Sequence, residues 1–245
     1  MSGRRHWARR LVRDGARQVC PTIRVSAIAP GEPRQRADYA PLPVSAPAQT
    51  RVYLARHGQT AYNLEGRFQG QLPVPLDDTG RDQAAELAER AAPHGFRTLW
   101  SSPLLRARET ADIVAQRIGL SPQEDPRLME TDAGDWTDLS FADVQAQAPE
   151  LFAAFLAGDS GFAFPGGESF AQQELRVGAA LDDVEAGELP ALVVCHGMVI
   201  RAALSVRAGH WLPSGQRVPN GALVPLDPAA AARAGFGADV ASQPS

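Results

Sequence analysis

Lysine is missing from this chain: all 24 basic residues among its 245 are arginine. Any phosphate held by side-chain cations is therefore held by guanidinium groups, and the lysine-dependent phosphate loop of nucleotide hydrolases is excluded. Cysteine is almost as scarce. Cys20 lies in an irregular N-terminal stretch and Cys195 in an apolar run, so no disulfide framework is expected and a reducing, cytoplasmic setting fits better. No apolar run approaches the roughly 18 residues that a membrane-spanning helix needs. The longest, at 192–195 and 151–156, suit buried strands or helices. No His/Cys cluster has zinc spacing, so neither a metal nor another cofactor is expected.

Negative charge is rare at the start and common afterwards. Residues 1–50 hold nine Arg against Asp14, Glu32 and Asp38, a net of +6; the whole chain carries −4, which leaves −10 for residues 51–245. Residues 1–49 mix Arg with Pro and Gly and show no sustained period, so they cannot bury enough apolar surface to offset their ordering entropy. A disordered Arg/Pro-rich tail or an upstream extension is expected there. Its first two dozen residues resemble an organelle transit peptide in composition but lack the apolar core of a secretory signal. The folded domain is expected over 50–228, followed by a flexible Ala-rich tail over 229–245.

From Thr50 onward, strand patterns alternate with helical ones. Residues 51–55 read as a short strand ending at Arg56-His57-Gly58. Thr79 is placed to cap a helix through Ala91, with Asp82 completing a capping box and Ala84, Leu87, Ala88 and Ala91 as its apolar stripe. Residues 98–100 read as a strand, and Pro103 as the start of a helix closed by Gly119. Ser140 and Asp143 suggest another cap, before a helix interrupted near Pro149 and ending at Gly158. Residues 168–186 read as a long helix with Phe170, Leu175, Ala179 and Leu181 in its core. Residues 191–195 form a fully apolar strand, 198–206 a helix and 221–226 a last strand. The alternation predicts an α/β fold, a three-layer α/β/α sandwich around a mainly parallel sheet.

In such sheets ligands bind beyond the carboxyl ends of the strands. Arg56 and His57 follow the first strand, Arg106 stands just after the second, and His196-Gly197 follows the most apolar one. Two imidazoles and two guanidiniums at one sheet edge make a pocket suited to phosphate, whose oxygens planar Arg forks match in pairs.

The segment RHGQTAYNLEGRFQG at 56–70 resembles the signature of the histidine phosphatase (phosphoglycerate mutase-like) superfamily. The likeness continues, in the family's order, in SSPLLRARETA at 101–111, LMETDAGDW at 128–136, FPGGESF at 164–170 and CHGMVIRAAL at 195–204. It implies the phosphoglycerate mutase-like fold and a set of roles. His57 attacks phosphorus and becomes phosphohistidine. Arg56, Arg106 and His196 surround the phosphoryl oxygens, Asn63 and Gly197 contact the same phosphate, and Gln69 and Gly70 stand on the rim. Asp132 and Asp135 are also placed to act as acids, but the Leu-x-Glu then Gly-x-Trp spacing of the phosphatase branch selects Glu130. That branch continues Glu-Gly after the Trp, whereas this chain has Thr137-Asp138. The resemblance also places Phe162 and Phe164 toward substrate.

The expected activity is metal-independent hydrolysis of a small phosphorylated metabolite, similar to alpha-ribazole and broad-specificity phosphatases, with neither nucleic acid nor membrane as partner. Mutase-type transfer and a non-catalytic phosphate-binding module are the alternatives on the same fold. A different chemistry is formally present too: Cys195-x5-Arg201 matches the phosphate loop of cysteine-dependent phosphatases. Against it, only Gly197 eases the required turn, and Cys195 reads as a small buried hydrophobe.

Overall fold

Strand β1 (Val52–Arg56) sends Val52 and Leu54 to one face of the sheet and Tyr53 and Ala55 to the other, because successive Cβ atoms on a strand point to opposite sides. The computed structural model describes residues 51–159, 161–209 and 217–235. The tail expected over 1–49 and residues 236–245 of the expected C-terminal tail lie outside the described residues. Strand β4 (Ala191–Cys195) is buried at all five positions and runs parallel to both β1 and β2 (Thr98–Ser101). A strand covered on both faces reads as an uninterrupted apolar run, which is what Ala191-Leu192-Val193-Val194-Cys195 supplies. The sheet is completed by two edge strands in the order β3-β2-β4-β1-β5: β3 (Pro122–Glu124) pairs parallel with β2, and β5 (Leu223–Pro225) antiparallel with β1.

Helices cover both faces. On one, Leu87, Ala88 and Ala91 of α2 (Asp78–Ala91) and Ala107, Ala111 and Val114 of α3 (Leu105–Ile118) pack on Ala55, Leu99, Leu192 and Val194. On the other, α6 (Phe170–Ala186) and α7 (Gly197–Ala208) bring Val177, Leu181, Val199 and Ile200 onto Leu54, Val193 and Cys195. Each buried Val or Leu contributes roughly 1.5–3 kcal/mol relative to exposure. The sandwich expected from the sequence is therefore the fold. A third apolar cluster lies beside it. Short helix α1 (Ala61–Glu65) leads to Phe68, which belongs to one cluster with Trp136, Phe152 of α5 (Pro149–Ala157), Phe162, Phe164 and Val144 of α4 (Phe141–Gln147).

Several boundaries differ from the sequence reading for identifiable reasons. Helix α2 is capped by Asp77, whose carboxylate accepts from the Gly80 amide, so Thr79 and Asp82 lie inside it. Pro103 precedes α3, because Ser102 Oγ accepts the Leu104 amide and delays the helix to Leu105. Helix α6 starts at Phe170, with Ser169 and Gln172 forming the capping box. Its buried face runs through Phe170, Gln173, Val177, Ala180, Leu181 and Val184, leaving Ala179 outside and Leu175 77% exposed. Where a flexible Ala-rich stretch was expected, Pro228–Arg233 form α8, capped by the Asp227 side chain and anchored by buried Ala231. The Ser140 cap, the break at Pro149 and the left-handed Gly158 and Gly119 stops stand as expected.

Candidate active site

The register of the central strands assembles the site. Arg56 stands opposite Cys195 and Ser101 opposite Val194, so the next residues, His57, His196 and Ser102, emerge side by side at one sheet edge. The His57 amide donates to the Cys195 carbonyl and the Ser102 amide to the Val194 carbonyl, each at 3.0 Å. The two imidazole centroids are 5.2 Å apart. The turn after His57 must also pass under the start of α2. A Cβ on Gly58 would lie 2.1 Å from the Gly80 oxygen, an approach only glycine permits.

His57 is 1% exposed, and its Nδ1 lies 2.6 Å from the Gly58 carbonyl oxygen. A carbonyl only accepts, so Nδ1 carries the proton and Nε2 keeps its lone pair. Arg106 Nε points at that Nε2 from 3.3 Å. Burial, reinforced by the Arg106 and Arg56 charges, holds the His57 pKa well below the usual histidine range. The ring is thus neutral at pH 7, with its unprotonated nitrogen facing a guanidinium.

His196 is equally neutral, its pKa driven far down by burial and then by Arg106, His57 and Arg56. Its Nε2 is 2.8 Å from Ser102 Oγ, and its Nδ1 has no hydrogen-bond partner among the described residues. A pH dependence follows. Below the ordinary pKa of about 6.5 an unfolded chain protonates both rings, whereas the native state does not, so protons favour unfolding. Stability against urea in phosphate-free buffer should be full above pH 6.5. It should fall toward pH 5 with a slope approaching two protons, roughly 2–3 kcal/mol per pH unit. A flat profile across that window would show that the rings are not held neutral.

Three guanidiniums belong to the site, those of Arg106 and Arg201 buried and that of Arg56 half-buried. Arg106, from the first turn of α3, donates to the Leu72 carbonyl at 3.0 Å and the Gly70 carbonyl at 2.9 Å; burial lowers its pKa to about 10, partly offset by Glu130. Arg56 donates to the Val218 carbonyl and lies along Gly197; burial lowers its pKa too, against the pull of Glu130. Arg201, on α7, is depressed to about 10 by burial and likewise faces the Glu130 charge. All three stay protonated at neutral pH. Half-buried Glu130 accepts from the Thr131 amide at 3.0 Å.

These groups open onto a cavity of about 520 Å³. Arg56, His57, Asn63, Gln69, Gly70, Arg106, Glu130 and Gly197 all line it, as does Phe164. His196, fully buried, stands behind His57 and does not. Asn63 is held by its capping box with Thr60 and by Asn220 Nδ2 at 3.1 Å, and Gln69 Oε1 accepts from Thr60 Oγ1 at 3.0 Å. Phe162 packs within the aromatic cluster, away from the cavity. Asp132 and Asp135 do not line it either: Asp132 caps the Gly134 amide, and Asp135 lies against Gly166. The Thr137-Asp138 departure has a structural use. Asp138, at φ 69°, pairs with Arg67 and with the Tyr62 hydroxyl at 2.7 Å, tying its loop to the cavity rim.

The cysteine alternative is overturned. Cys195 is fully buried in the sheet core and burial pushes its thiol pKa up, the reverse of what a thiolate nucleophile needs. The stretch that would have to form its phosphate loop is α7.

The sequence reading missed two arginines. Arg201 was noticed only as part of that rejected motif, yet it lines the cavity. Arg176 of α6 grips Glu168 through Nε at 2.5 Å and Nη2 at 2.8 Å, and its Nη1 donates to the carbonyls of Arg127 and Met129 at 2.6 and 2.7 Å. It therefore clamps the backbone directly before Glu130. The spacing of Glu168 and Arg176 hints at a pair; their grip on residues some 47 positions away has no local signal.

Among the described residues no group of His, Cys, Asp and Glu could hold a metal ion, and no helix is long and apolar enough to cross a membrane. Residues 52–230 match the family model for the histidine phosphatase superfamily, branch 1. A probable phosphoglycerate mutase, GpmB, of Yersinia pestis is 36% identical over 162 residues, 65% of this chain and 75% of that protein. A mycobacterial glucosyl-3-phosphoglycerate phosphatase, solved with VO3, superposes with TM-score 0.66 at 33% identity over 71% of this chain and 91% of its own. A candidate alpha-ribazole-5'-P phosphatase of Escherichia coli does so with TM-score 0.60 at 28% identity, covering 71% and 88%.

Proposed function

The chain belongs to the histidine phosphatase superfamily, and from that premise we propose that it hydrolyses a small phosphomonoester through a phosphohistidine on His57. The observation that carries this reading is the His57 ring itself: neutral, with Nδ1 fixed on the Gly58 carbonyl and Nε2 facing the Arg106 guanidinium at a cavity that Glu130 also lines.

In the first step Nε2 attacks phosphorus while the bond to the leaving oxygen breaks, and Glu130 gives that oxygen its proton. Arg56 and Arg106 stabilise the equatorial oxygens, where charge accumulates, without reorganising. His196 serves the buried end of this cage through its unpaired Nδ1, with Ser102 fixing the ring from the other side. Asn63, Gln69, Gly70 and Gly197 complete the walls. In the second step Glu130 takes a proton from water, the water oxygen bonds to phosphorus, and the P–N bond breaks to release phosphate and neutral His57. Neither step calls on a metal ion. A reducing cytoplasm suits the free Cys195 thiol.

Transfer to a second hydroxyl instead of water is the other outcome open to a phosphohistidine, and a 36%-identical relative bears a mutase name. Turnover in ¹⁸O-water separates the two. Hydrolysis releases inorganic phosphate with one ¹⁸O per turnover; a mutase would interconvert 3- and 2-phosphoglycerate without releasing phosphate. Isomerisation outpacing phosphate release would overturn the hydrolase reading.

A further inference from the structure

The cavity beyond the phosphate cage is chemically one-sided. Three guanidiniums, Arg56, Arg106 and Arg201, line it, and Glu130 is the only acidic residue in the lining among the described residues. With His57 neutral, a phosphoryl dianion engages these guanidiniums directly. The remaining lining arginines are on the rim: Arg67 is paired with Asp138, and exposed Arg217 lies over the Phe141 ring at 5.1 Å. Their attraction for a substrate anion is screened by solvent.

The wall facing this cage is apolar. Phe68, Phe141, Phe152, Phe155, Phe164 and Met198 line it, and most of these rings fix one another. Phe68 meets Phe141 at 4.5 Å, Phe155 at 5.5 Å and Phe164 at 6.2 Å, and Phe155 meets Phe164 at 5.6 Å. Such a preformed aromatic surface gains by covering apolar area, and a hydroxyl turned toward it loses hydration without return; the uncharged polar lining is Tyr62, Asn63, Gln69, Gln83 and Asn220. Thr131 adds a further polar group beside Glu130. Thr131 lines the cavity, and its buried hydroxyl has no hydrogen-bond partner among the described residues, a condition that a substrate oxygen would relieve.

We propose that the natural substrate is the phosphomonoester of an alcohol with an aromatic or bulky apolar body, packed on the Phe68–Phe155–Phe164 wall, with Thr131 hydrogen-bonding an oxygen near the ester. The inference rests on the phosphohistidine reading and goes beyond it in naming the leaving group. About 520 Å³ accommodates a phosphoryl group and a body of one or two rings.

The test is kcat/KM for the unmodified protein with monoesters of primary alcohols of similar acidity: ethyl, butyl, hexyl and benzyl phosphate, with glycerol 3-phosphate and 3-phosphoglycerate as polar counterparts. Each added methylene should raise kcat/KM about 3- to 4-fold until the wall is covered, and benzyl phosphate should exceed glycerol 3-phosphate on the order of 10²-fold. Thr131→Val, which keeps the shape, should lower kcat/KM for benzyl phosphate roughly 5- to 10-fold through a missing hydrogen bond. A series flat in chain length, or 3-phosphoglycerate ahead of benzyl phosphate, would overturn the proposed leaving group while leaving hydrolysis intact. Failure to turn over any of the esters, p-nitrophenyl phosphate included, overturns both readings.

Discussion

His57→Ala should lose turnover on the order of 10⁴-fold or more, as nucleophile removals do, and should no longer trap acid-labile phosphate after a rapid quench. The argument is geometric. Among the described groups lining the cavity, His57 alone joins a lone pair, a fixed tautomer and two neighbouring cations, Arg106 and Arg56. The arginines that hold phosphate do not depend on its ring, since Arg106 remains tied to the Gly70 and Leu72 carbonyls. Inorganic phosphate or vanadate should therefore still bind the variant, and that binding separates a missing nucleophile from a misfolded site. The same substitution removes one of the two buried neutral imidazoles, so the acid slope of stability should fall by about one proton. An active variant, or a persistent phosphoenzyme, would move the chemistry to another residue.

The sheet was legible because its strands obey simple rules. The run at 191–195 is apolar throughout, since helices cover it on both sides, and the position of polar residues after strands pointed to His57 and His196. What could not be read locally depended on choices between equivalent neighbours or on distant partners. Asp77 and Thr79 are both good caps, and only the packing of Gly58 against Gly80 decides for Asp77. Leu175 fits a helical stripe as well as Val177 does, yet α6 meets the sheet through the latter. Strand β3 has three residues, two of them polar, and exists only because β2 offers an open edge. In the site, the burial of His196 behind His57, the entry of Arg201 and the Arg176 clamp on the Glu130 loop are tertiary facts. The aromatic wall was similarly hidden, because its rings come from Phe68 and from segments more than 70 residues further along.

Arg106→Ala is expected to cost on the order of 10² to 10³-fold in kcat/KM, the usual price of one preorganised donor to a charged transition state. Two effects are superposed in that substitution. The guanidinium faces His57 Nε2 and so the phosphoryl group to be transferred, but it also satisfies the Gly70 and Leu72 carbonyls, which in the variant would lose their donor. That second loss should lower stability by roughly 1–3 kcal/mol and loosen the rim at Gly70. Arg106→Lys separates the two. It restores a cation but not a planar fork able to reach two carbonyls and the phosphate at once, so about 10-fold or more of the activity loss should persist even where phosphate inhibition is largely regained. Because Arg106 is already depressed to about 10 by burial, and lysine starts from about 10.4, the same surroundings should bring the lysine near neutrality. Activity of Arg106→Lys should then rise as pH is lowered from 9 to 7, when the parent enzyme shows no such limb. A lysine variant with parental rates and a parental profile would remove Arg106 from the transition state and leave it only as the strut beneath Gly70.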